Sequence, residues 1–341
     1  MSTLQPQTTT KRTPEATDID AVVVGAGFAG LYMLHRLRGL GLSARVIEAA
    51  AGVGGTWYWN RYPGARCDIE SLEYQYGFED ELPREWKWTE RYASQPEILR
   101  YINHFADRFE LRPDIQFETR VIEAHFNESA ERWDIKTDRG ARLSAKYCIM
   151  ATGCLSAPRR PDFKGLDSFE GDWYHTGYWP HEGVDFTGKG AGIIGTGSSA
   201  IQAIPIIAAQ AAHLTIFQRT ANFSVPAHNG PIDPAYERQM TERYTDVRRR
   251  ARESTGGVVS RAANEKSALA VSEEERRHEF ESRWRQGGFA IGGAFADLAI
   301  NKEANDTAAE FVRAKIRATV KDPVTAELLC PKDYTFATKR L

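Results

Sequence analysis

A glycine turn occurs twice in this chain, and the second copy keeps the register of the first. In "DAVVVGAGFAGLYMLHRL" the apolar run at 21–24 leads into G-x-G-x-x-G at Gly25, Gly27 and Gly30. Leu31, Leu34, Leu37 and Leu40 follow at helical spacing. In "GAGIIGTGSSAIQAI" the frame returns as Gly195, Gly197 and Ala200, each 170 positions on (195 − 25 = 170). The first glycine allows a tight turn and the second lets a pyrophosphate approach the backbone. The third, for which Ala is an accepted variant, lets helix and sheet pack closely. Two such frames in 341 residues predict an α/β chain with two Rossmann-like dinucleotide-binding domains.

The two frames differ where the ribose would sit. The second strand of the first frame, "SARVIEA", ends near Glu48, 23 positions after Gly25 (48 − 25 = 23), and an acid there can accept both ribose hydroxyls. The matching position of the second frame is Gln218 (218 − 195 = 23), with Arg219 and Thr220 behind it. A carboxylate repels a 2′-phosphate, whereas a guanidinium binds it bidentately. The first site therefore suits a dinucleotide with a free ribose and the second suits NADPH. Two dinucleotides on one chain point to flavin plus nicotinamide chemistry. A disulfide reductase would also use two such sites but needs a close cysteine pair. Cys67, Cys148, Cys154 and Cys330 form no C-x-x-C, so packing is the expected role of Cys148 and Cys154.

A formal charge of −2 gives no global field for nucleic acid or an anionic membrane. The polar stretch 1–18 reads as a flexible tail without a secretory signal. The richest apolar region, 193–214, is broken by Gly, Ser, Gln and Pro205 and cannot be a membrane span. A reduced, cytoplasmic protein is expected.

Between the frames, "GVGGTWYWNRYPGARCDIES" combines glycines with Trp57, Tyr58 and Trp59 and then with Arg66 and Asp68. It fits either a ligand-facing loop or a rigid aromatic core segment. "SQPEILRYINHFADRFEL" predicts a helix with Ser94 as N-cap and Ile98, Leu99, Ile102, Phe105 and Phe109 on one face. Strands are expected over 115–126, 132–137 and 147–153, the first and last completing the sheet with a meander between. From Pro231 onward the chain is charged and helical, and the basic run 248–252 reads as a solvated face rather than a nucleic-acid site.

"FEGDWYHTGYWP" lies between the frames and shows neither helical nor strand period. Its Phe169, Gly171, His175, Trp179 and Pro180 match F-x-G-x-x-x-H-x-x-x-W-P, the fingerprint of the Baeyer–Villiger monooxygenases, and "GGTWYWNRYPGARCD" resembles their flavin loop. The resemblance covers nearly all of this chain but only the front part of the family, whose members continue with more of both domains. It implies an FAD-binding domain over 19–156, an NADPH-binding domain over 157–229 and 323–341, and a helical insertion over 230–322. Both nucleotide domains would then be incomplete, with the C-terminal part of the family fold absent. The fingerprint is expected at the junction of the two domains, where packed rings fix a geometry. His175 taken alone reads better as a structural histidine, and any functional role for it is not proton transfer.

What the resemblance implies chemically is insertion of one oxygen atom of O2 beside a ketone carbonyl, through a flavin C4a-peroxide, giving an ester or lactone. Neither a metal nor a protein partner is implied. FAD contacts are implied at Thr56, Trp57, Tyr58, Trp59, Arg66, Asp68, Tyr74 and Val121. NADPH contacts are implied at Thr196, Gly197, Ser198, Ser199, Ala200, Gln202, Arg219, Thr220 and Lys339. Arg340 is the candidate for the cation that stabilises the peroxide, with Asp68 orienting it; an ordinary ion pair is the alternative. Two other readings stay open: a related flavin monooxygenase acting on nitrogen or sulfur, and a catalytically silent nucleotide-binding fragment. The 341-residue chain by itself is expected to be inactive.

Overall fold

The computed structural model describes residues 17–155, 157–254, 256–260, 264–332, 335 and 336. In chain order the strands are β1 (Thr17–Val24), β2 (Ala44–Ile47), β3 (Ile115–Gln116), β4 (Val121–Asn127), β5 (Arg132–Thr137), β6 (Arg142–Met150), β7 (Gly190–Ile194) and β8 (His213–Phe217). The helices are α1 (Phe28–Gly39), α2 (Thr56–Trp59), α3 (Leu82–Glu85), α4 (Gln95–Arg108) and α5 (Ser198–Ala208). They continue with α6 (Pro234–Glu242), α7 (Tyr244–Glu253), α8 (Glu273–Gln286), α9 (Lys302–Thr319) and α10 (Pro323–Leu329). Two compact units emerge. One holds the described residues of Met1–Asn60 and Leu99–Tyr178, the other those of Arg61–Ile98 and Trp179–Leu341.

The first unit is built on a mixed sheet of order β3-β2-β1-β6-β5-β4. The neighbours from β3 to β6 run parallel, and β6, β5 and β4 fold back antiparallel. Strand β1 lies in the middle, and Ala21, Val22 and Val23 are all fully buried. A strand covered on both faces has no reason to alternate, which is why "AVVV" reads as a continuous apolar run. Val22, Ile47, Ile135, Leu143 and Ala145 form the core on which Val121, Trp133 and Cys148 pack. Helix α1 buries Leu31, Leu34 and Leu37. Leu40, expected on the same face, is 67% exposed because the helix ends at Gly39.

Three further expectations are corrected here. The single strand expected over 115–126 is interrupted between β3 and β4. Glu118 takes a left-handed φ of 51°, and Thr119 donates its N–H to the Glu48 carbonyl at 2.9 Å. Strand β6 starts at Arg142 rather than Tyr147, so that β5 can pair along it from Lys136 to Trp133. Residues 1–16 of the expected tail lie outside the described residues, whereas Thr17 and Asp18 already pair with Leu143 and Ser144.

In the second unit β7 and β8 form a two-stranded parallel sheet carrying α5. Ile194, Ile216 and Phe217 on these strands are 66%, 43% and 56% exposed. One core of this unit joins α8 and α9 to the segments around them. Phe223, Phe280, Ile291, Phe295, Leu298 and Val312 pack with small residues of α9, where Ala304 and Ala308 are one turn apart. Side chains cap the charged helices: Asp233 on α6, Ser272 on α8, Asn301 on α9 and Asp322 on α10. The basic run of α7 is only partly the solvated face expected. Arg249 pairs with Asp246 and Glu253, but Arg248 turns inward and donates to the Gln75 carbonyl at 2.7 Å. Gly77 permits this, since a Cβ there would lie 2.5 Å from Arg248 Nε.

Candidate functional site

The first glycine turn is built by close approach of backbones. Gly25 has φ 105°, and a Cβ on it would lie 2.7 Å from the Ala151 carbonyl oxygen. A Cβ on Gly30 would lie 1.8 Å from the Gly25 oxygen, so the helix meets the turn only because no side chain is present. The 52–55 loop closes on the same turn: Gly54 donates to Ala26 O at 3.0 Å, and a Cβ on Gly55 would be 2.9 Å from Gly27 Cα. Thr56, Trp57, Tyr58 and Trp59 form α2 directly behind it, with Trp57 buried and Thr56 exposed. Glu48 is buried, its two carboxylate oxygens accepting from Ala26 N at 2.5 Å and Ala50 N at 2.7 Å. Val121 lies at the start of β4, paired with Thr137.

Gly27 is the N-cap of α1 and Gly197 that of α5, and neither helix receives a side-chain cap. The first-turn N–H groups of each are therefore open to an anion approaching over glycines, as a dinucleotide pyrophosphate requires. The residues at both turns fit such a group. At the second turn Gly195 has φ 108°, and a Cβ on Gly195 or Gly197 would meet nothing within 4 Å. Thr196 donates its hydroxyl to the Thr220 carbonyl at 3.1 Å, and Asn222 donates to Thr196 O at 3.1 Å. Gln218, at the acid position, donates its amide to Leu328 O at 2.8 Å. Arg219 is exposed and forms no ion pair among the described residues, while Ser198, Ser199, Ala200 and Gln202 lie in the first turns of α5.

In the second unit the 61–68 loop lies against α5. Gln202 Oε1 accepts from Tyr62 Oη at 2.9 Å and Arg66 N at 3.3 Å. Its Nε2 donates to Arg66 O at 3.2 Å and Asp68 Oδ1 at 3.1 Å. Burial first, and the Asp68 charge second, push the Tyr62 phenol up, against a hydrogen bond with Ser199. Arg66 Nη1 donates to Glu90 Oε2 at 3.0 Å and Tyr92 O at 3.2 Å. Tyr74 closes a turn on the Glu70 carbonyl.

A cavity of about 600 Å³ lies in the same unit, between Leu72, His228, Tyr236, Met240, Arg250 and Val259. Its polar wall is a buried Glu70, bonded to Arg91 Nη2 at 2.6 Å and Tyr236 Oη at 2.8 Å. These partners, and the Gln202 contacts, carry no motif of their own. The one local signal is the Pro63–Gly64 turn dipeptide.

Within the aromatic segment, His175 Nδ1 accepts from Gly177 N at 3.0 Å, and a Cβ on Gly171 would lie 2.8 Å from the Phe169 ring. Phe169, Trp173, Tyr174 and Tyr178 are more than a third exposed, while Trp179, next to Pro180, is buried. One of the boundaries between the two units falls between Tyr178 and Trp179. Lys339 and Arg340 lie outside the described residues.

The family model of the pyridine nucleotide-disulphide oxidoreductases matches residues 22–285. A Baeyer–Villiger monooxygenase of Pseudooceanicola batsensis is 47% identical over 321 residues, 93% of this chain and 58% of that protein. Among solved structures, an oxidized steroid monooxygenase bound to NADP superposes with a TM-score of 0.91 at 54% identity, over 95% of this chain and 63% of the other. The chain belongs to the Baeyer–Villiger monooxygenases, within the pyridine nucleotide-disulphide oxidoreductases.

It spans about three-fifths of the length of these relatives. A phenazine N-monooxygenase of Lysobacter antibioticus is 45% identical over 325 residues, 94% of this chain and 59% of that protein. All four cysteines are free, and burial pushes the Cys67 thiol up to about 12. No helix among the described residues is long and apolar enough to cross a membrane.

Proposed function

We propose that the protein bearing this chain is an FAD- and NADPH-dependent monooxygenase that inserts one oxygen atom of O2 next to the carbonyl of a small ketone. The observation that carries this reading is the fingerprint at Phe169, Gly171, His175, Trp179 and Pro180 between two glycine turns, on a chain whose relatives include such enzymes. FAD, when bound and reduced, supplies the oxygen chemistry. The turn at Gly25–Gly30 would hold its pyrophosphate, and Glu48, whose oxygens each accept one amide, has capacity left for ribose hydroxyls. Arg219 would take the 2′-phosphate of NADPH. Arg340 would present a fixed cation to charge developing on the transferred oxygen, with Asp68 orienting it.

The proposed domains are those the sequence suggests: 19–156 for FAD, 157–229 with 323–341 for NADPH, and 230–322 as a helical insertion. Exposed Ile194, Ile216 and Phe217 on the two-stranded sheet support a nicotinamide domain whose sheet has more to cover it than the described residues supply. The free cysteines support a cytoplasmic setting.

The phenazine N-monooxygenase supports a second reading, oxygenation of a ring nitrogen, at nearly the same identity. Product analysis decides between them: the FAD-loaded protein is given NADPH with cyclohexanone, a thioether or phenazine. A lactone is expected, and an N-oxide or sulfoxide with no lactone would sink the ketone reading.

A further inference from the structure

We propose that Gln202 is a positioning residue for Asp68 rather than a contact for the nicotinamide dinucleotide. This inference rests on the function proposed above for what Asp68 does, but not on which atom is oxygenated. A carboxamide has two acceptor lone pairs and two N–H donors. Gln202 uses all four on the 62–68 loop: Tyr62 Oη and Arg66 N on its oxygen, Arg66 O and Asp68 Oδ1 on its nitrogen. The orientation of the amide is fixed by its partners, because Arg66 N only donates while Arg66 O and the Asp68 carboxylate only accept. No donor is left over for a cofactor. The contact to Asp68 is charge-assisted and the strongest of the four in kind.

A second observation concerns the backbone of the same residue. Gly64 has φ 76°, and a Cβ on it would lie 2.2 Å from the Gln202 carbonyl oxygen. The loop is thus pressed onto α5 at Gln202 by its main chain and clasped there by the side chain. Gln202 stands five residues after Gly197 (202 − 197 = 5), on the helix that starts at the second glycine turn. The carboxylate of Asp68 is therefore held at a fixed place relative to the helix that would receive NADPH.

The test uses the full-length, FAD-loaded protein and two readouts: NADP+ titration, and hydrogen peroxide released per NADPH oxidised without any added ketone. Gln202→Leu is expected to leave the NADP+ dissociation constant within about twofold of wild type. Peroxide release should rise to the level of Asp68→Ala, and the double variant should release no more than Asp68→Ala alone. A structural role unconnected to Asp68 would instead add to that variant. Gln202→Glu keeps the length and the acceptor for Tyr62 and Arg66 N–H but loses both donors, so it should repeat the peroxide phenotype even where leucine disturbs folding. NADP+ binding weakened tenfold or more with unchanged peroxide release would overturn the proposal, as would multiplying effects in the double variant. Neither readout uses a ketone, so a nitrogen-oxygenating enzyme would give the same answer, and product analysis tests that point separately.

Discussion

Gly64→Ala measures how tightly the 61–68 loop is held. Two separate effects act at this position. A φ of 76° is left-handed, and an L side chain there costs about 1–2 kcal/mol. The new Cβ would also lie 2.2 Å from the Gln202 carbonyl oxygen and 3.3 Å from Ile206 Cγ1. The first of these partners is helix backbone and cannot swing aside, so the loop must move, and overpacking of this kind adds about 1–3 kcal/mol. The sum is a loss of about 2–5 kcal/mol. Gly183→Ala is the matched comparison, since φ there is 81° with nothing within 4 Å of the added Cβ, and it should lose only the backbone part, about 1–2 kcal/mol. Equilibrium urea unfolding followed by tryptophan fluorescence reads both, with unchanged slope marking a true stability difference. If Gly64→Ala loses no more than Gly183→Ala, the close approach to Gln202 is not present in solution.

Glu48→Ala should lower FAD occupancy, read from the flavin absorbance of purified protein, while leaving NADPH affinity of the holo fraction nearly unchanged; selective loss of NADPH would move Glu48 to the other site. Arg219→Ala should weaken NADPH far more than NADH, by about 1–3 kcal/mol for a lost charge-assisted contact, and equal losses by titration would remove Arg219 from 2′-phosphate recognition. Asp20 is drawn from its ordinary 3.8 to about 2 by the Ser43 hydroxyl first, then by Lys146 and the Ser43 amide. A depressed carboxylate stabilises the fold above its unfolded value and loses that contribution as pH falls, here between about 4 and about 2. Asp20→Asn should therefore flatten acid unfolding in that window, and an unaltered acid transition would show that the Ser43 and Lys146 contacts hold no charge in place.

What could be read from the sequence was local. The two glycine turns, the strands before them and the helices after them span fewer than about twenty residues each, the range over which period and turn chemistry speak. The same holds for the buried face of α4, where Ile98, Ile102 and Phe105 are fully buried. The partners of Arg248 and Gln202 could not be read for the opposite reason. Gln75 and Asp68 stand 173 and 134 positions away, and a hydrogen bond between distant residues leaves no mark on either neighbourhood. A basic run thus reads as solvated until the inward arginine is seen against Gly77.

The glycine turns themselves show how far a repeated motif determines its own surroundings. Gly25 and Gly195 have nearly the same backbone, φ 105° and 108°, yet a Cβ on the first strikes the Ala151 carbonyl and a Cβ on the second meets nothing within 4 Å. Ala151 follows β6, which pairs with β1 along seven residue pairs and so brings the 151–153 segment up behind the first turn. Strand β7 pairs only with β8, and no described strand stands where β6 does. A two-stranded parallel sheet cannot cover its own faces, which leaves Ile194 and Phe217 in solvent. The identical turn is therefore rigidly walled in one copy and open in the other. Gly25→Ala should then disturb folding through a backbone collision, whereas Gly195→Ala should lose only the left-handed backbone term of about 1–2 kcal/mol. Equal losses in urea unfolding would mean that the second turn is also closed from behind in solution.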